Sequence, residues 1–218
     1  MFRTSNLVLS AALIFGAFPR AGDMPAPPRN PDLAVFVNEL HYDNAGTDSG
    51  EAIEIAGPAG TDLAGWSIVL YNGSGGAVYT TTALSGLIPD QMAGYGTLAF
   101  SYPSNGIQNG SPDGLALVDP SNAVLQFLSY EGTFSAVGGP ADGLQSADIG
   151  VSEAGSEPIG QSLQLSGAGT SYEHFTWSGP AASTFGSVNT GQTFAVISNA
   201  PVIADCGPAL TAVEGLGA

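Results

Sequence analysis

The chain of 218 residues contains 31 glycines and 15 prolines, only 10% of it is charged, and three arginines face 19 acidic residues for a net charge of −16. That balance excludes an autonomous nucleic-acid binder, whose phosphate affinity comes from clustered Lys and Arg, and it disfavours docking on anionic lipid. With 44% hydrophobic residues the chain has enough apolar surface for one core, and its scarcity of strong helix formers points to an all-β fold.

Arg3 precedes an uncharged apolar run, Leu7 to Phe18, followed by Pro19-Arg20-Ala21. A short basic start, about a dozen apolar residues and small residues afterwards describe a secretory signal. The run is too short to span a bilayer, which takes about 20 residues, and no other stretch reaches that length. The expected organisation is a signal peptide over 1–21, a Pro-rich linker over 22–32, a β domain over 33–197, and a tail or the start of a following module over 198–218. Removing Arg3 and Arg20 takes the charge from −16 to −18 and leaves Arg29 as the one basic side chain. The exported chain would be an extracellular polyanion, soluble and attractive to divalent cations.

From Leu33 onward, short apolar stretches alternate with turn clusters. Val35 to Tyr42 opens the series and runs into a polar loop, Asp43 to Gly50. Ala52 to Ala56 alternates at period two, and Trp66 to Tyr71 runs into the tight-turn signal Asn72-Gly73. Further strands are expected at Val78–Thr82, Thr97–Tyr102, Leu115–Asp119, Val124–Tyr130, Ser162–Leu165, Phe175–Trp177 and Thr193–Ile197. About ten short strands at this spacing make a β-sandwich the expected architecture. Glu131 to Gly160 reads as a long loop region with one short strand near Gly150-Val151, and loops of that length are functional or mobile.

Three motifs then stand in order: Asn38-Glu39-Leu40, Gly50-Glu51-Ala52-Ile53-Glu54 and Asp62-Leu63-Ala64-Gly65-Trp66. Ser111-Pro112-Asp113-Gly114-Leu115 follows, and Gly186-Ser187-Val188-Asn189-Thr190-Gly191-Gln192 closes the series. Together they resemble the lamin tail domain, and its secreted bacterial branch more than the nuclear lamins. The resemblance covers roughly residues 33–194 and implies an immunoglobulin-like β-sandwich with long loops. It also implies an accessory module of the kind found beside catalytic modules in extracellular nucleases, phosphatases and surface proteins. Ala204-Asp205-Cys206-Gly207-Pro208 to Val213-Glu214-Gly215 resembles the joint leading into such a module, with Cys206 the sole cysteine.

Candidate chemistry is sparse. Gly150-Val151-Ser152-Glu153-Ala154 lacks the last glycine of a nucleophile elbow and has no helix pattern after it. His41 and His174 are the only histidines, and both read as strand or loop residues with ordinary hydrogen bonds. Phosphodiester hydrolysis would need a positive group beside its carboxylates, and the domain contains neither Lys nor Arg. At period two, Asn38 and His41 point to opposite faces and Glu39 shares the His41 face. The expected metal is calcium, held by Asp43, Asn44, Asp48 and Glu51 in the loop with Glu39 and Glu54 in support, because calcium takes six to eight oxygens from carboxylates, amides and carbonyls. Asp142, Asp148, Glu153 and Glu157 form a more dispersed acidic region. Trp66, Trp177, Tyr71, Tyr102 and Tyr130 could stack on a sugar, but the tryptophans read as core. The expected function is a secreted, non-catalytic binding or accessory module whose partner is an extracellular ligand or a linked catalytic module. The alternative is the N-terminal part of an extracellular endonuclease or phosphodiesterase.

Overall fold

The computed structural model describes residues 33–195; the expected signal peptide, linker and tail, with Arg29 and Cys206, lie outside them. Two sheets form. The first has the order β10 (Phe175–Ala182), β9 (Gln161–Gly169), β1 (Phe36–His41), β2 (Ala52–Pro58), β5 (Tyr95–Ser101), and β11 (Gln192–Phe194) pairs in parallel with β9. The second has the order β4 (Ala77–Ala83), β3 (Ser67–Asn72), β6 (Asp113–Val118), β7 (Val124–Tyr130), β8 (Ala147–Asp148). All pairings are antiparallel except β11 with β9 and β8 with β7. Among the described residues the single helical element is a 3₁₀ turn at Tyr172–His174, so the all-β expectation holds there. No helix among the described residues is long and apolar enough to cross a membrane.

The two sheets pack face to face. Val37, Leu40, Ile53 and Ile55 from the first meet Ile68, Leu70, Leu115, Leu117 and Leu128 from the second in one core. Trp177 is buried in that core and Trp66 packs against it, while Tyr42 and Tyr130 stack with ring centroids 3.8 Å apart. Tyr71 and Tyr130 are also buried and Tyr102 is half-buried against the same core, so these rings serve mainly as core.

Strands β3 and β6 are apolar on both faces rather than alternating, because both faces are covered. Their outward side chains Val69, Tyr71, Ala116 and Val118 join Phe127 from β7 in a second cluster, capped by Phe134, Ala136 and Ala141. The region after β7 is therefore largely a cover for the second sheet. Its short strand falls at Ala147–Asp148, three residues before the position the sequence suggests.

The outer face of the first sheet is covered too, and here the cover is polar. A β-bulge in β1 sets both Asn38 and Glu39 against Glu54, between the pairs Val37–Ile55 and Leu40–Ile53. Asn38 thus joins Glu39 and His41 on the face away from the core. That corrects the period-two expectation: the inserted residue resets the alternation. The Val37 N–H at the bulge donates to Gln126 Oε1 at 2.7 Å, a buried tie from one sheet to the other.

Candidate functional site

The ionisable side chains offered by the sequence separate into three places. The first is the outer face of the first sheet, where Glu39 and Glu54 stand opposite each other on β1 and β2 with no exposed surface. Glu39 Oε1 accepts from Ser162 Oγ at 2.6 Å and from the Thr184 N–H at 2.7 Å, and Glu39 Oε2 accepts from Thr184 Oγ1 at 2.9 Å. Glu54 accepts from Asn38 Nδ2 at 2.9 Å and from the Gly186 N–H at 2.6 Å. Asn189 Nδ2 donates to the Asn38 and Leu165 carbonyls, and Gln192 Nε2 donates to Asn38 Oδ1. The motif Gly186–Gln192 is thereby clamped onto the motif Asn38-Glu39, far away in sequence.

Burial pushes the Glu39 pKa up, against the donors Ser162, Thr184 and Gln164. Burial pushes Glu54 up to about 7, helped by the charge of Glu39 and opposed by Asn38 and Gly186. Two in-register carboxylates with no cation beside them favour keeping a proton.

The second place is the loop after β1. His41 is buried, with Nδ1 at 2.8 Å from Glu153 Oε1 and Nε2 facing the Ser49 carbonyl at 3.2 Å and Asn44 Oδ1 at 3.3 Å. Each ring nitrogen meets an acceptor, so the doubly protonated imidazolium satisfies both sides. Burial alone would lower the His41 pKa, but the hydrogen bond and charge of Glu153, with Ser49 and Asn44, outweigh it and raise it. Among the described residues this is the one ion pair. Glu153 Oε2 also accepts from the N–H groups of Tyr42, at 2.6 Å, and Asp43, at 3.0 Å. Tyr42 Oη in turn accepts from the Glu153 N–H at 2.8 Å and donates to Glu131 Oε1. Glu153, which the sequence places in a dispersed acidic region, is the counter-ion of His41 and the anchor of the loop. The signal for it was the lack of Lys and Arg: a buried histidine is then the only cation available to a buried acid.

The third place is the loop before β6. Glu51 is fully buried and accepts from the N–H groups of Gly106 at 2.9 Å and Ile107 at 2.8 Å. Burial raises its pKa and those two donors oppose the rise.

The six residues expected to hold calcium therefore do not surround one ion. Glu39, Glu54 and Glu51 each give both carboxylate oxygens to donors far away in sequence or across the ladder, and Asp48 gives both of its oxygens to the Asn44 N–H and Asn109 Nδ2. Asn44 Oδ1 accepts from the Ser49 N–H at 2.9 Å and faces His41. Asp43 and Asp48 remain together: burial and the neighbouring Asp48 charge raise the Asp43 pKa, and Asn109 bonds both, its Nδ2 lying 3.2 Å from Asp48 Oδ2. Among the described residues no group of three or more His, Cys, Asp or Glu side chains is arranged to hold a metal ion.

His174 sits in the exposed 3₁₀ turn, where its Nδ1 accepts from the Thr170 and Ser171 N–H groups. That is a cap on the turn, and the neighbouring Ser171 hydroxyl at 3.1 Å belongs to the same cap. No protein-family model matches the chain, and searches of curated proteins and of solved structures also find no significant match.

Proposed function

We propose that this chain is a secreted, non-catalytic accessory or binding module with an immunoglobulin-like, lamin-tail-like sandwich. The observation that carries the reading is how its buried ionisable groups are used. Glu39 and Glu54 hold the 183–192 segment, Glu51 holds the 106–107 backbone, and Glu153 with His41 holds the loop after β1. A general base or metal ligand must offer a free lone pair to a substrate or ion. Here the carboxylates are buried away from any incoming substrate and their oxygens face protein donors, so the groups act as clamps on long loops. The lamin-tail reading is supported by the order and spacing of its sequence motifs. Export is supported by the residue pattern of 1–21 alone. Calcium enters this reading only at Asp43 and Asp48, as a weak stabiliser.

The partner is an extracellular ligand or a covalently linked catalytic module. A purified full chain incubated with DNA, and with a chromogenic phosphodiester, in Mg²⁺ and in Ca²⁺, is expected to give no turnover above a mock purification. Sustained cleavage would overturn the reading in favour of an extracellular endonuclease or phosphodiesterase. An open reading frame for a phosphodiesterase beyond residue 218 would instead assign catalysis to a following module.

A further inference from the structure

Polar side chains gather at one end of the second sheet, between the turn after β3 and the loop entering β6. A cleft of about 280 Å³ lies there, lined by Asn72, Ser74, Gln108, Asn109, Ser111 and Asp113. Its walls are fixed before any ligand arrives. Asp113, 2% exposed, accepts from the Gly73 N–H at 2.8 Å and from the Gly110 N–H at 2.7 Å, tying the two segments together. The segments approach so closely that a Cβ on Gly73 would lie 1.9 Å from the Pro112 carbonyl oxygen. Asn72 Nδ2 donates to Gln108 Oε1 at 2.7 Å, the Gln108 N–H donates to Tyr79 Oη at 2.9 Å, and the Gln108 carbonyl accepts from Tyr130 Oη. Gln108 is thus held at three points, two of them on tyrosines anchored in the sandwich.

The lining selects a ligand class. It offers amides, hydroxyls and one carboxylate, and no cation, so phosphates, nucleic acids and acidic peptides find no counter-charge. Gln108 Nε2 and the Ser74 hydroxyl keep hydrogen-bonding capacity toward the cleft, whereas Asn72 Oδ1, without a partner among the described residues, is shut off from solvent and offers nothing to a ligand. Interleaved donors and acceptors suit hydroxyl groups, each of which both donates and accepts. The volume falls at the small end of ligand pockets, fitting one ring rather than an extended chain. No aromatic ring lines the cleft, so affinity comes from hydrogen bonds alone and belongs in the millimolar range.

We propose that this cleft binds a neutral polyhydroxylated ligand, the terminal unit of an extracellular saccharide. The proposal deepens the reading of the chain as a binding module and rests on it. The test is ¹H–¹⁵N shift mapping and saturation-transfer difference NMR on the full chain with glucose, galactose, mannose, N-acetylglucosamine and, as a charged control, glucuronate. At least one neutral sugar is expected to shift the amides of residues 72–76 and 108–113, and glucuronate to bind at least about tenfold more weakly. Gln108→Ala should weaken binding by about tenfold, the value of one hydrogen bond of ~1.4 kcal/mol. Ser74→Trp, at an exposed turn position, should plug the cleft and abolish binding while the remaining amide shifts stay in place. No shift in these segments with any neutral sugar, equal binding of glucuronate, or binding that survives Ser74→Trp would each overturn the proposal. None of these results touches the nuclease assay, so this proposal and the non-catalytic reading can fail separately.

Discussion

Replacing Glu54 with Gln should change the pH dependence of stability more than stability itself. In the native state Glu54 has no exposed surface and faces Glu39 across the β1–β2 ladder, and its pKa rises to about 7 from an ordinary 4.5. Between those two values the folded protein keeps a proton that the unfolded chain has released. Stability therefore falls as pH rises, at about 1.36 kcal/mol per pH unit for one proton, or about 3 kcal/mol across the window. This contribution is fully present below pH 4.5 and is lost once pH passes about 7. Glu39 and His41, both raised, act with the same sign, so the wild-type curve should be steeper than one proton requires.

Gln removes one titrating group while keeping the shape. Urea melts followed by tryptophan fluorescence, from about pH 4.5 to about 8 at fixed ionic strength, give the difference between wild type and Glu54→Gln. That difference should shrink by about 3 kcal/mol from the acid to the alkaline end, because only the wild type must ionise the buried carboxylate at position 54. Any cost of the amide facing the Gly186 N–H is independent of pH and shifts the whole variant curve without tilting it. A difference that stays constant across the range would refute the argument and show that Glu54 ionises normally in the fold.

How much of this was legible depends on the range over which a signal acts. Strand positions follow from local chemistry, and β1 to β7 fall within two residues of expectation because Asn-Gly, Asp-Gly and Pro clusters mark the reversals. The β1 bulge has no such mark, so a count of two put Asn38 on the wrong face. The cover over the second sheet was hidden because Phe134, Ala136 and Ala141 are scattered among glycines and prolines. The unbroken apolar runs of β3 and β6 were its indirect trace. At the polar sites the residue types were visible and the meetings were not. Glu39 meets Thr184, His41 meets Glu153 and Glu51 meets Ile107, contacts fixed by topology. An acid-rich loop read locally therefore resembles a cation site, although Glu51 and the supporting Glu39 and Glu54 are spent on backbone N–H groups elsewhere in the chain.

Tyr42→Phe leaves the Glu153 N–H buried without its acceptor and should cost about 1–3 kcal/mol in urea unfolding; an unchanged midpoint would refute the anchoring role of this hydroxyl. Gly73→Ala forces a Cβ into the Pro112 carbonyl and should cost about 3 kcal/mol, the upper end of overpacking; a neutral result would mean that the turn and the β6 loop separate freely. Calcium tests the one acidic pair left over. Asp43 and Asp48 lie close enough to raise the Asp43 pKa, so a proton or a divalent cation between them relieves the same repulsion. Two carboxylates and the Asn109 amide supply few of the six to eight oxygens calcium takes, which sets Kd at about 10⁻³ M, the weak end for extracellular modules. At tenfold excess such an ion adds about 1.4 kcal/mol, or about 3–5 °C in Tm for a domain of this size. Melts in excess chelator and in Ca²⁺, at matched ionic strength, should differ by that amount in wild type and not in Asp48→Asn. Glu51→Gln should lower both melting temperatures and leave their difference standing, since Glu51 binds Gly106 and Ile107 rather than an ion. Superimposed wild-type curves would leave the pair with a shared proton and no calcium; a difference that Glu51→Gln removes would return Glu51 to the coordination sphere.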